Sequence, residues 1–364
     1  MYSINEIFRT FGPEYMASFG TSMPNEHQKV LKAITECRTQ ACGMVVYECI
    51  ECGMQHMSFR SCGNRHCPKC QNHNIKLWVQ RQMKQQLPGH HFMITFTVPE
   101  ELRRFIRSNQ RVAYAALFMA SSQTLKKLTP DPKFIGGDLP GFFGILHTWG
   151  RQLQYHPHIH YIVPGGAILK EDGSWHPSRV DFYLPVSAMS KIFRAKFRDE
   201  MKKAGFLSLI PVEVWKIDWN VNSQAIGNSE TSIKYLAPYV FKVGISDHRI
   251  VSVEGRDVFI RYKKTGSKRW RTMKLDAMEF LRRFLQHVLP TGFMKVRHYG
   301  LLSSSSSISL GHVRQLVKTA CDINVVGSAP EPKMAPPIIC PDCGGELKYC
   351  YSILAFQMML PDTG

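Results

Sequence analysis

Acidic residues are scarce in this chain. Its 28 Asp and Glu stand against 46 Lys and Arg, a formal charge of +18 and a pI near 9.5. That excess is more than solubility requires, so the partner to expect is a polyanion, nucleic acid ahead of an anionic membrane. No run of 18 apolar residues is present, which excludes a membrane-spanning helix. The start, Met1-Tyr2-Ser3-Ile4-Asn5-Glu6, lacks the basic and apolar regions of a signal peptide, so a cytoplasmic protein is expected. Gly-rich phosphate loops of the Walker type and internal repeats are also missing, which leaves no signature of a nucleotide-driven motor.

Cysteine, by contrast, is plentiful and unevenly placed. Eleven cysteines in a cytoplasmic chain argue against a disulfide framework. Seven lie between Cys37 and Cys70, three between Cys340 and Cys350, and Cys321 stands apart. Cys49-x-x-Cys52 and Cys67-x-x-Cys70 are knuckles with 14 residues between them, near the spacing of a four-cysteine zinc ribbon. The expected structural zinc site is therefore Cys49, Cys52, Cys67 and Cys70. Cys37, Cys42, Cys62 and His66 remain for a possible second site, or for packing or phosphate contact. Cys340-x-x-Cys343 is a further knuckle, which would need His312 or Cys321 to be completed.

At 364 residues the chain is long enough for two or three domains. Residues 1–35 read as amphipathic helix, and Gln71–Gln86 as a helix carrying Lys76, Arg81 and Lys84. A strand is expected over 92–98 and a helical stretch from Pro99 to about Leu128. Two strands follow, Phe142–Trp149 and Tyr155–Pro164, expected to be hairpin neighbours. Side chains alternate along a strand, so His158 and His160 share one face and Ile159 the other. Two parallel imidazoles can hold one divalent cation if a third ligand arrives. His147 on the neighbouring strand is the candidate. The pattern by itself serves structural roles, hydrolases, dioxygenases and nucleases alike.

Helix is expected again over 185–203, then strand-like sequence at 212–221. Tyr235 and Tyr239, four apart, share one face if that stretch is helical. Pro238 between them suggests a helix that starts near Ala237 or is kinked there. Residues 258–275 read as a hairpin around Thr265-Gly266. From Arg261 to Lys274 it holds seven basic residues and no acid, with Tyr262 and Trp270 interleaved. Arg261, Lys263, Lys264, Lys268, Arg269, Trp270 and Arg271 are its candidate DNA contacts, charge for phosphates and a ring for unpaired bases. A helix capped by Asp276-x-x-Glu279 follows, then a serine run at Ser303–Ser307 that reads as a linker.

Together these features resemble the rolling-circle insertion-sequence transposases with an HUH nuclease domain, the family typified by insertion sequence ninety-one. The resemblance rests on CRT at Cys37, SCGNRHCPKCQ at 61–71, ILHTWG at 145–150, HPHIH at 156–160, KYLAPYV at 234–240 and HVLPTGFMKVRHYG at 287–300. It departs at Val45, where a histidine would be expected, at the additional Cys42, and at Pro238. The fold implied is α+β: a helical and zinc-binding module at 1–85, an HUH domain of antiparallel sheet and flanking helices at 86–302, and a small tail at 303–364. The resemblance implies Mg²⁺ or Mn²⁺ on His158 and His160, with His147 added from strand adjacency, and Tyr235 and Tyr239 as nucleophiles. Lys242 is placed to steady a phosphate or phenolate. It further implies single-stranded DNA with hairpin ends and a target strand as substrates, a bacterial, nucleoid-associated setting, and leaves a dimer open. A replication initiator or relaxase is the neighbouring alternative, and a non-catalytic zinc-dependent DNA-binding regulator the alternative of another class.

Overall fold

The computed structural model describes residues 2–228, 230–241, 244–264, 266–322 and 337–355. In chain order the elements are α1 (Ile4–Phe19), α2 (Asn25–Glu36), β1 (Met44–Cys49), β2 (Gln55–Phe59), α3 (Asn72–Gln85), β3 (His91–Thr97), α4 (Arg103–Ser108) and α5 (Gln110–Leu128). Then come β4 (Leu139–Trp149), β5 (Tyr155–Pro164), β6 (Gly166–Ile168), β7 (Trp175–Pro177), α6 (Val186–Lys203), β8 (Val221–Gly227) and α7 (Glu230–Phe241). The last are β9 (Ile250–Glu254), β10 (Asp257–Lys263), β11 (Trp270–Asp276), α8 (Ala277–Leu285), β12 (Val296–Gly300), α9 (Leu310–Cys321) and β13 (Leu347–Ile353). The elements form two compact units, each assembled from separate stretches of chain.

The larger unit, residues 75–240 and 289–329, is built on an antiparallel sheet of order β7-β6-β4-β5-β3-β8, with β12 paired to β4. One face of the sheet is apolar at every second residue: Phe92, Ile94 and Phe96 of β3, Phe142 and Leu146 of β4, Ile159, Tyr161 and Val163 of β5. α5 and α6 cover this face with Leu117, Phe118, Met189, Phe193 and Phe197, so it is the hydrophobic core and the period-two pattern is its cause. The serine run is no linker to a separate tail. It leads into α9, whose Val313 and Val317 pack with Ile168, Trp175 and Leu301 of the same unit. Nor do residues 212–221 form a strand throughout: Val212–Trp215 is a 3₁₀ turn that buries Val214, and β8 starts at Val221.

The smaller unit gathers residues 1–74, 241–288 and 330–364. α1 begins on a capping box between Ser3 and Glu6, and α8 packs on it with Phe284 against Phe8. α8 itself starts where Asp276 accepts a hydrogen bond from the Met278 amide. Glu279 does not complete a second capping box and pairs instead with Arg282 and Arg283. Two small sheets complete the unit, β13-β1-β2 and β11-β10-β9. The boundaries expected at 85 and 302 are thus not the edges of these units. The basic hairpin lies in the smaller unit, and β13 from the expected tail pairs along the whole of β1.

Candidate functional site

The site is set by strand register. β4 and β5 pair antiparallel with His147 opposite His158 and Ile145 opposite His160; on the other side of β5, Thr97 faces His158 and Thr95 faces His160. Residues directly opposite share a face, so His147, His158, His160 and Thr95 all project away from the core. The ligand-capable atoms of the three imidazoles lie within 4.8 Å of one another. Their rings are 4.7 to 5.4 Å apart, each pair close to perpendicular. Of the expected residues, these three are brought together.

Each ring is held by its surroundings. The Nδ1 of His158 lies 2.7 Å from the carbonyl oxygen of His156, so it carries the proton and donates. His156 in turn accepts through Nδ1 from the Arg103 guanidinium at 2.9 Å, and Arg103 pairs with Glu100. The Nδ1 of His160 is 2.8 Å from the Thr95 hydroxyl. Both rings are therefore engaged through Nδ1, which leaves Nε2 to face the shared space, the arrangement a bound cation needs. His147 stacks on Trp149 at 4.9 Å where β4 carries a bulge, and Lys295 lies over that indole. Burial, then mutual repulsion with His160, holds His147 well below the usual imidazole range; the same two causes act on His158. Burial, then His156, brings His160 down to about 4. Three imidazoles neutral at physiological pH keep their lone pairs for a metal. Thr95, Arg103 and Trp149 are functional neighbours that the sequence pattern did not identify.

β8 pairs with β3, with Asn222 opposite Thr95, and leads into α7. That helix runs through Pro238 rather than beginning at Ala237, so Tyr235 lies within it, 59 % exposed, while Ile233 and Leu236 are buried. Tyr239 falls in the same helix, its side chain outside the described residues, as is Lys242 altogether.

The cysteines are partitioned differently from the expected Cys49, Cys52, Cys67 and Cys70 quartet. Cys37, Cys62, Cys67 and Cys70 form one cluster; Cys49 and Cys52 join Cys340 and Cys343 in another. β1 and β2 form a hairpin whose loop is the first knuckle, whereas the second knuckle lies beyond the opposite end, where Phe59 faces Met44. Those ends are about 13 Å apart at 3.3 Å per residue, too far for one ion. Cys37 caps the end of α2 near that far end and completes the set there. His66 is buried but outside both sulfur clusters. In the first cluster Cys37 and Cys70 are 3.2 Å apart, Cys62 and Cys70 3.5 Å, and Cys37 and Cys67 3.6 Å. A zinc–sulfur bond of about 2.3 Å puts tetrahedral sulfurs roughly 3.8 Å apart, so the cluster fits a structural zinc. Burial pushes the Cys37 thiol up to about 12, while hydrogen bonds from Cys62 and then Cys67 lower Cys70. A divalent cation would relieve that crowding by taking up four thiolates.

The basic hairpin is also formed. Lys263 faces Trp270, Arg261 faces Thr272 and Tyr262 faces Arg271 across β10 and β11. Val258, Ile260 and Leu275 are buried, and the opposite face presents Trp270, 52 % exposed, with Arg261 and Lys263 at 5.0 and 4.7 Å from its ring. Lys264, Lys268, Arg269 and Arg271 flank it in the loop and on β11. Among the described residues no helix is long and apolar enough to cross a membrane.

Comparison with known proteins agrees with this division of chemistry. A family model described as "Transposase zinc-binding domain" matches residues 7–98, and one described as "Putative transposase" matches residues 141–309. "Putative transposase y4qJ" of Sinorhizobium fredii is 34 % identical over 323 residues, 83 % of this chain and 80 % of that protein. "Transposase for insertion sequence element IS801" of Pseudomonas savastanoi pv. phaseolicola is 26 % identical over 349 residues, 87 % of this chain and 82 % of its own. No solved structure matches. With a zinc-binding module ahead of a sheet that gathers three histidines, and with relatives that match it along most of their length, this chain belongs to the IS91 family of insertion-sequence transposases, enzymes that act on DNA.

Proposed function

We propose that the chain nicks and rejoins single-stranded DNA at the ends of its own mobile element through 5′-phosphotyrosine intermediates on Tyr235 and Tyr239. The observation that carries this reading is the convergence of His147, His158 and His160 on one face of the sheet, two of them oriented through Nδ1. These residues would hold one Mg²⁺ or Mn²⁺, which supplies Lewis-acid polarisation of the scissile phosphate when bound. In the cleavage step the phenolic oxygen bonds to phosphorus and the bond from phosphorus to the 3′-oxygen breaks. The phenol loses its proton, the 3′-oxygen gains one, and a free 3′-OH remains. Attack by a 3′-OH on the phosphotyrosine reverses the exchange, so no nucleotide is consumed. Two tyrosines permit one cleavage at the donor and one at the target before strands are exchanged. Lys242 is assigned to steadying phosphate or phenolate charge.

Chain topology supports the tyrosine assignment. β8 leaves the sheet with Gly227 opposite His91, and α7 begins three residues later in the same unit. Its 12 residues span about 18 Å, comparable to β3. α5 and α6 occupy the core face, so a helix that returned along the other face would carry the tyrosines back towards the histidines. The basic hairpin would bind the unpaired strand, Trp270 stacking on a base and the surrounding Lys and Arg meeting phosphates.

The test is incubation of labelled single-stranded candidate ends with Mn²⁺, followed by denaturing gels. Wild type should give a covalent protein–DNA adduct, Y235F or Y239F alone a partial loss, and the double variant none. Adduct persisting in the double variant, or nicked DNA with no adduct in wild type, would overturn the reading.

A further inference from the structure

The second sulfur cluster joins residues nearly three hundred positions apart. Cys49 ends β1 and Cys52 lies in the loop that leads to β2; Cys340 and Cys343 come from the turn before β13. Cys49 and Cys343 have their sulfurs 3.4 Å apart, Cys52 and Cys340 3.9 Å, and all four sulfurs lie within 4.8 Å of one another. The separation expected between sulfurs on one tetrahedral zinc, about 3.8 Å, falls between those two distances.

The two halves are built alike. In each, the glycine after the second cysteine returns its amide to the carbonyl of the first: Gly53 to Cys49 and Gly344 to Cys340, both at 3.0 Å. Both glycines are left-handed, φ +70° and +79°, a conformation costly for other residues. Each knuckle is thus a tight turn that aims two sulfurs at one point. The Gly345 amide also donates towards the Cys343 sulfur at 3.4 Å, and the His56 Nε2 lies 3.2 Å from the Cys340 sulfur and 3.6 Å from Asp342. The same His56 nitrogen thus faces both the Cys340 sulfur and the Asp342 carboxylate, and a hydrogen bond to a ligand sulfur from outside the cluster helps to orient that ligand. The apolar content is meagre: among the described residues, the apolar side chains clustered with the buried Cys49 and Cys340 are Leu347 and the partly buried Tyr47. Cys52 and Cys343 are solvent-exposed. Hydrophobic burial alone gives little reason for four sulfurs to gather here.

We propose that Cys49, Cys52, Cys340 and Cys343 bind a second structural zinc ion, with Cys340 and Cys343 supplied from outside the segment matched by the zinc-binding family model, and that this ion anchors β13 to β1. His56 is assigned as a positioning residue for Cys340. The metal would thereby make the C-terminal strand part of the zinc module.

The test uses the full-length holoprotein. Zinc is counted by elemental analysis, and iodoacetamide labelling is mapped by mass spectrometry before and after chelation. The expected result is two zinc ions per chain, with Cys52 and Cys343 resistant to alkylation until chelator is added, although both are exposed, whereas the exposed Cys350 should label at once. C340S/C343S should retain one zinc and gain protease cleavage ahead of β13. H56A should keep both ions, with one released about 10–100-fold more readily to chelator. A wild type with one zinc, or Cys52 and Cys343 labelling as fast as Cys350, would overturn the proposal. The labelling arm needs no variant, so a substituted chain that fails to fold does not shield it.

Discussion

Thr95 shows what a single side chain contributes to the histidine site. Its hydroxyl meets the Nδ1 of His160, 65 positions away in sequence, so replacing it with Val keeps the strand but removes the hydrogen bond. We expect T95V to fold normally and to need about 10–100-fold more Mn²⁺ for half-maximal adduct formation, recovering at saturating metal. An unchanged metal requirement would show that His160 is not held through Thr95. H158A should lose adduct formation at every metal concentration. The histidine pair was legible from residue order because a strand has period two, and His147 followed from the hairpin. Thr95 and Arg103 were not, because their links to His160 and His156 run across the pairing of β3 with β5 or in from a neighbouring helix, and strand or helix order alone does not declare such contacts.

At the scale of elements, most of the large unit was readable from alternation and caps, and the zinc module was not. Knuckle spacing along the chain gives contour length only; the hairpin of β1 and β2 sends its two ends apart, and the turn ahead of β13 brings Cys340 and Cys343 to Cys49 and Cys52. The same unit depends on α8 as the support of the basic hairpin, with Ala277, Phe280 and Leu281 buried. Hydrogen bonds from Arg282 and then Arg283 hold the Glu279 carboxyl down to about 2, against an ordinary value of 4.5. A lowered carboxylate adds stability that is present in full above about 4.5 and is lost as the pH falls through about 2. E279Q should therefore cost roughly 1 kcal/mol at neutral pH, discounted for the partial exposure of the pairs. The gap between variant and wild type in thermal melts should narrow as the pH is lowered from 4.5 towards 2. A gap that stayed constant over that range would assign the loss to packing instead.

For the whole molecule, the charge of +18 is the property that residue order declared most plainly. Charge and stacking are separable terms in DNA affinity. Each phosphate neutralised on a single strand releases counterions and adds about 0.7 to the slope of log affinity against log salt, while stacking contributes with little salt dependence. Trp270 shares its exposed face with Arg261 and Lys263, and further cations lie in the adjoining loop, so the two can be measured in one experiment. In fluorescence anisotropy with an unpaired oligonucleotide, K268A/R269A should lower the magnitude of the salt slope by about 1.4, the sum for two phosphates. W270A should weaken binding by about 1–3 kcal/mol, tenfold or more over most of that range, and leave the slope where it was. Duplex DNA of the same sequence offers no free base face, so W270A should affect it far less. If W270A and the double charge variant altered slope and affinity in the same proportion, or if duplex and single strand responded alike, the hairpin would be acting through its charge alone, and any selection of unpaired DNA would have to come from elsewhere in the chain.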